Sequence, residues 1–196
     1  MTLSDQAQRV LERLYAEDRA QREARLPSAQ RTRNVERASG RFLHVLVLAL
    51  SPKTIFEVGS SNGLSTIWLA SALTESGGQV FGTEILPARA AEANSNLAEA
   101  GLAAHANVIA SDARDAIKLV EGDIDLVFID AEKDDYSSHF LTIIDRVRAG
   151  GIIVADNVIS HDCSAYQAML RARSDVETLT LPLERGLEFT VKKRPR

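Results

Sequence analysis

Sulfur is scarce in this chain. A single cysteine, Cys163, among 196 residues leaves no internal disulfide and no cysteine partner for a zinc site. Around it the sequence VISHDCSAY offers no activating signature beyond nearby His161, so Cys163 reads as structural or surface. An excess of one charge sign is also missing: 23 Lys+Arg stand against 27 Asp+Glu, and the net charge of -4 gives no field that would gather a polyanion. No apolar run reaches membrane-spanning length, and the first residues, MTLSDQAQRVLERLYAEDRAQREAR, mix acids and bases where a signal peptide would need an apolar block. Nucleic-acid and membrane partners are therefore not expected, and a cytoplasmic location is. Internal repeats and low-complexity segments are absent as well.

What is present is a globular composition, 45% hydrophobic and 26% charged, with length for one full core. Leu3, Ala7, Val10, Leu11 and Leu14 recur at helical spacing, which predicts an amphipathic helix over about residues 3 to 25, ending before Pro27. RFLHVLVLAL reads as a buried helix closed at Ser51-Pro52. From Thr54 the pattern alternates: strands TIFEV, QVFGTE, NVIA, IDLVFID and GIIVAD, separated by helices, the fourth running from about Tyr136 to Arg148. Nearly continuous apolar strands with helical crossovers make a doubly wound α/β fold around a parallel sheet. A helix near Ala165 to Arg173 follows, and VETLTLPLERGLEFTVKK reads as an antiparallel hairpin on the sheet edge, for seven strands in all. The expected organisation is one domain, residues 1–50 forming a helical cap and 54–193 the core.

In such sheets ligands sit beyond the carboxyl ends of the strands. The first of these loops is Glu57-Val58-Gly59-Ser60-Ser61-Asn62-Gly63. Gly59 permits a tight turn and close backbone approach, and Gly63 opens a helix whose free N–H groups favour an anionic group, phosphate or carboxylate. A dinucleotide fingerprint would place glycine where Ser61 stands, which disfavours a pyrophosphate. Glu84, ending QVFGTE, is placed to accept hydrogen bonds from both hydroxyls of a ribose.

The sharpest feature is an acid-amide cluster. Asp130 ends one strand, and Asp156 with Asn157 ends the next. Two carboxylates and an amide oxygen suit a hard divalent cation, Mg²⁺ first and Ca²⁺ or Mn²⁺ as alternatives, whereas lone strand-end acids often serve only as helix caps. Lys133, three residues after Asp130, faces the same pocket, where it is placed to remove or share a hydroxyl proton. The bland reading of Lys133 is a solvated lysine among acids.

Together these residues resemble the metal-dependent S-adenosylmethionine O-methyltransferases, the group of the catechol and caffeoyl-CoA enzymes. The resemblance runs from about Asn34 to Lys193 through Asn34-Val35, Gly40, FEVGSSNGLST, GTEI, SDA, FIDAEKDDY, GGIIVADN and RGLEFTVKK. It implies a seven-stranded Rossmann-like fold and S-adenosylmethionine as cofactor. Val35, Glu57, Gly59, Ser61 and Ser65 would lie around its methionine portion, Glu84 at the ribose, and Asp112 and Ala113 at the adenine. Asp130 would border both cofactor and metal, Asp156 and Asn157 would complete the metal set, and Lys133 would be catalytic. The implied reaction moves a methyl group to a hydroxyl of a metal-chelated vicinal diol on a small phenolic molecule, catechol-type or caffeoyl-type.

Departures bear on the acceptor. Leu64 replaces a common tyrosine, Ala131-Glu132 replaces the His-Trp pair that flanks adenine in the catechol enzyme, and that enzyme's acceptor-side glutamate counts onto Leu179, with Glu177 two residues away. Competing readings are an NAD(P)-dependent oxidoreductase, opposed by Ser61 and the acid-amide set, and a non-catalytic cofactor-binding module, opposed by Lys133. Methylation of DNA or nitrogen is disfavoured because no Asn-Pro-Pro-aromatic motif follows the fourth strand. A homodimer is expected from the amphipathic N-terminal helix and the habit of the family.

Overall fold

The computed structural model describes residues 3–194. Helix α1 (Asp5–Glu23) starts at Ser4, whose Oγ accepts the Ala7 N–H at 3.1 Å, and α2 (Arg37–Leu50) ends at left-handed Ser51. The core then runs β1 (Thr54–Val58), α3 (Leu64–Ser71), β2 (Gln79–Glu84), α4 (Pro87–Glu99), β3 (Ala106–Ala110), α5 (Ala113–Ala116) and β4 (Ile124–Ile129). It continues through α6 (Tyr136–Ile143), β5 (Val147–Asp156) and α7 (Ser164–Arg171) to β6 (Val176–Leu181) and β7 (Leu187–Lys192). The seven strands order as β3-β2-β1-β4-β5-β7-β6, parallel from β3 to β5, with β7 antiparallel to both β5 and β6. This is the expected α/β sheet with its C-terminal hairpin.

Strand alternation divides the core into two layers. Ile55, Leu126 and Phe128 point to the side covered by α1, α2, α3 and α4, while Phe56, Val127 and Ile129 point to the side of α5, α6 and α7. All six are completely buried. With both faces covered, each strand buries side chains in either direction, at about 1.5–3 kcal/mol per large apolar residue.

Three expectations change. The helix placed at about Tyr136 to Arg148 stops at Ile143, followed by a 3-10 turn, and β5 begins at Val147, four residues before GIIVAD. Arg146 donates to the carbonyls of Ile117 at 3.0 Å, Val120 at 2.6 Å and Gly122 at 2.8 Å, and Lys192 Nζ to those of Ile144 and Val147 at 2.8 Å each, which draws the chain out of the helix. The helix expected over DARDAIKLV is one α-turn followed by a 3-10 turn. Helix α1 buries Ala7, Val10, Leu11 and Leu14 in the same layer as α3 and α4 of its own chain, so these residues pack within the fold and do not form an open apolar face.

The start of α2 is tied to the turn between β6 and β7. Glu36, the N-cap residue of α2, makes no side-chain cap. Glu184, in the β6–β7 turn, caps it instead, accepting from Ala38 N–H at 3.2 Å and from Ser39 N–H and Oγ at 3.0 and 3.1 Å. Among the described residues no helix is long and apolar enough to cross a membrane.

Candidate active site

A cavity of about 530 Å³ opens beyond the carboxyl ends of β1 to β5. Its floor is the loop after β1. Gly59 (φ +87°) and Ser60 both donate backbone N–H to the Thr83 carbonyl, at 3.0 and 2.9 Å, and a Cβ on Gly59 would collide with the Asp130 carbonyl oxygen. Ser61, also left-handed, donates its N–H to Glu84 Oε2 at 3.0 Å, while Glu84 Oε1 accepts from Leu86 N–H at 2.9 Å. Glu84 is thus fixed at the rim before any ligand arrives. Gly63, left-handed, then opens α3, whose first turn has no side-chain cap.

Beneath this loop lies Glu57, completely buried. Its Oε2 accepts from the hydroxyls of Ser60 and Thr66, its Oε1 has no partner, and burial pushes the carboxyl above the ordinary range. Glu57 supports the loop from below and does not border the cavity, whereas Val35, Gly59, Ser61, Ser65, Glu84, Asp112 and Ala113 do.

At the ends of β4 and β5 the acid-amide set converges. Asn157 Nδ2 donates to Asp156 Oδ2 at 2.7 Å and to Asp130 Oδ1 at 3.3 Å, and Lys133 Nζ donates to Asp130 Oδ1 at 2.9 Å and to the Tyr136 hydroxyl. Asp156 is 3% exposed, and its Oδ1 is buried without a partner. Burial first, and then the Asp130 charge, pushes the Asp156 carboxyl up to about 7. Two acids held together with one oxygen unanswered form a centre of negative charge that a cation would satisfy. Among the described residues no three His, Cys, Asp or Glu side chains converge, so any cation here would rely on two carboxylates and the Asn157 amide.

The opposite wall comes from three loops. Residues 31–36 cross above the glycine loop, with the Thr32 carbonyl accepting from Ser61 Oγ at 2.8 Å and the Arg31 carbonyl from Arg89 Nη2 at 3.1 Å. The loop after β5 and the β6–β7 turn are joined by Ile159 and Ser160 N–H donating to the Arg185 carbonyl at 2.9 and 3.1 Å. Most cavity cations are paired: Arg22 with Asp18 at 2.7 Å, Arg33 with Glu132 at 2.6 Å, Arg114 with Asp112 at 2.6 Å, and Arg185 with Glu36 at 2.8 Å. The Arg114 hydrogen bonds hold the Asp112 carboxyl down at about 2. Three of the six non-glycine residues with left-handed backbone, Arg33, Ser61 and Asn157, border this one cavity.

Of the residues the sequence assigns to the cofactor, the cation or catalysis, only Glu57 and Asp156 fall outside the lining, one under the floor and the other behind Asn157. Leu179 is 61% exposed on β6 and Glu177 pairs with Lys193 at 3.0 Å, so neither borders the cavity. Sequence reasoning missed Arg31, Arg33, His139 and Arg185 as lining residues. His139 carried a faint signal, one turn beyond Tyr136 on the buried face of α6. The others lie in loops without periodicity.

A seven-stranded sheet of this order with a loop-built cavity at its carboxyl edge is the architecture of a class I methyltransferase. A family model described as O-methyltransferase matches residues 4–181, and the chain belongs to that family. Catechol O-methyltransferase of Niastella koreensis is 40% identical over 124 residues, covering 61% of this chain and 56% of that protein. Catechol O-methyltransferase of Mycobacterium tuberculosis is 38% identical over 126 residues, covering 64% and 57%. The matches thus span a little over half the length of these relatives. An O-methyltransferase from Bacillus cereus, solved in complex with SAH, superposes with a TM-score of 0.80 at 26% identity, covering 94% of this chain and 90% of that one.

Proposed function

We propose that this protein transfers the methyl group of S-adenosylmethionine to one hydroxyl of a vicinal diol on a small phenolic acceptor. The observation that carries this reading is the pair of acids at the ends of β4 and β5, one oxygen of Asp156 buried and unanswered, with Lys133 beside Asp130. The S-adenosylhomocysteine in the Bacillus relative supports the cofactor. Here its methionine portion would lie over Gly59, Ser61 and Ser65 near Val35, with Glu84 at the ribose and Asp112 and Ala113 at the adenine. Among the described lining residues no aromatic pair flanks that end, and Ile85, Leu86 and Ala131 would supply the apolar wall instead.

The donor set fits a hard divalent cation, Mg²⁺ first, held by Asp130, Asp156 and the Asn157 amide oxygen once that side chain turns over. Such a cation, when bound, supplies charge that gathers two neighbouring oxygens and eases the loss of a proton from one of them. Lys133 Nζ, steered by Asp130 and the Tyr136 hydroxyl, is the group placed to take that proton once it is present as the neutral amine, its own proton having passed to solvent. As the acceptor oxygen bonds to the methyl carbon, the carbon–sulfur bond breaks and S-adenosylhomocysteine leaves. Because the donor is already activated, the protein mainly positions the reactants, a contribution that reaches roughly 7–11 kcal/mol in well-oriented reactions.

The test is methyl transfer to a panel of catechols with Mg²⁺, Ca²⁺ or Mn²⁺ and with chelator, for the native protein and Lys133→Ala. Activity should need the cation and fall about 10²–10⁴-fold in the variant while cofactor binding persists. Binding of S-adenosylmethionine without turnover of any diol would remove the acceptor class, and failure to bind it would remove the reading altogether.

A further inference from the structure

One cation of the cavity has no carboxylate partner among the described residues. Arg31 borders the cavity from the crossing segment, and its Nε is buried with no hydrogen-bond partner among the described residues. The other cavity cations described above each meet a carboxylate, or, for Arg89, a hydroxyl and a carbonyl oxygen. A guanidinium nitrogen withdrawn from water without a partner is costly, and its planar fork matches a carboxylate. The cavity also has no Phe, Tyr or Trp in its described lining, so a phenolic ring is not gripped there by stacking.

The methyl donor has its own place for a carboxylate, the uncapped first turn of α3 beside Ser65, opened by Gly63. That leaves Arg31 for the other substrate. Arg185 adds a second positive group on the acceptor wall, since its Glu36 partner is shared with Arg22.

We propose that the acceptor is an anionic diol, its vicinal hydroxyls at the Asp130 end and its carboxylate received by Arg31. This rests on the transfer reading above and narrows it from phenols in general to dihydroxyaryl acids.

The experiment compares 3,4-dihydroxybenzoate and 3,4-dihydroxycinnamate with their methyl esters, which keep the diol and lose the charge. In the native protein kcat/KM should favour the acid by about tenfold or more, as expected for a charge-assisted pair. Arg31→Gln should bring the acid-to-ester ratio close to one, and Arg31→Lys should keep part of it. Equal use of acid and ester by the native protein, or an unchanged ratio in Arg31→Gln, overturns the proposal. So does weaker binding by Arg31→Gln of S-adenosylhomocysteine but not of its decarboxylated analogue, which would place Arg31 at the donor. Titration of acid and ester into protein saturated with S-adenosylhomocysteine separates the two ideas. A preference for the acid that depends on Arg31, without turnover of either compound, keeps this inference and removes the transfer reading. Should Arg31→Gln not fold, the native acid-to-ester ratio and Arg31→Lys decide.

Discussion

The half of the cavity proposed for the methyl donor and the half proposed for the acceptor are held by different forces. The donor half rests on strand ends, and its loop is pinned by backbone hydrogen bonds to Thr83, by Glu84 and by the buried Glu57 carboxyl. The acceptor half is three loops tied by a few backbone hydrogen bonds and by ion pairs at the surface, such as Arg185–Glu36 with side chains 40% and 37% exposed. Exposed pairs contribute about 0–1 kcal/mol each, so this wall can change its residues at little cost to the fold. The donor half has no such freedom.

The sharpest way to break that contrast is Gly59→Ala. Its Cβ would enter the Asp130 carbonyl oxygen at a φ of +87°, so cofactor binding should vanish and the melting temperature fall; retained binding in a calorimetric titration would show the floor to be adaptable. Next comes Glu184→Ala, which removes the cap on α2 supplied across the molecule. A loss of about 1 kcal/mol should lower the Tm by about 2–4 °C, with the larger change in acceptor KM than in cofactor Kd.

Glu57 gives a pH test of the donor half. Because burial raises its pKa in the folded chain, its contribution to stability is fully present below the unfolded value and is lost as pH rises toward the folded one. Denaturation across pH should therefore show the native protein losing ground to Glu57→Gln as pH climbs above the ordinary carboxylate range. A pH-independent difference would mean that the carboxyl is charged in place. The smallest effect is expected for Glu132→Ala: stability within about 1 kcal/mol of native by thermal melting, with a shifted acceptor KM. A large fall in Tm there would erase the distinction between the halves.

The same division governs what the sequence reveals. TIFEV and QVFGTE coincide with β1 and β2 residue for residue, because each is a short run rich in β-branched and aromatic residues that starts just after a Pro or Gly break. The acids ending those strands and their neighbours, Glu84, Asp130 and Asp156, were legible for the same reason. β5 was read four residues short, since Ala149-Gly150-Gly151 looks like a break while Gly150 continues the strand at a φ of +78°. The burial of Glu57 was invisible, because a motif records which residue follows a strand and not which side of the loop its carboxyl takes. Arg31 and Arg185 belong to segments with no period, and only tertiary contacts, the Arg31 carbonyl with Arg89 and the Arg185 side chain with Glu36, bring them to one cavity.

The position of β7 has a consequence for how the chain is made. It lies between β5 and β6, so β5 has no neighbour on that side until Leu187–Lys192 have been synthesised. Throughout that interval a nascent chain already folded through β5 exposes an unpaired edge on a strand carrying Ile152, Ile153, Val154 and Ala155, the kind of edge that recruits other chains. β7, made after the other six strands of its sheet, is thus the sheet's own guard against aggregation.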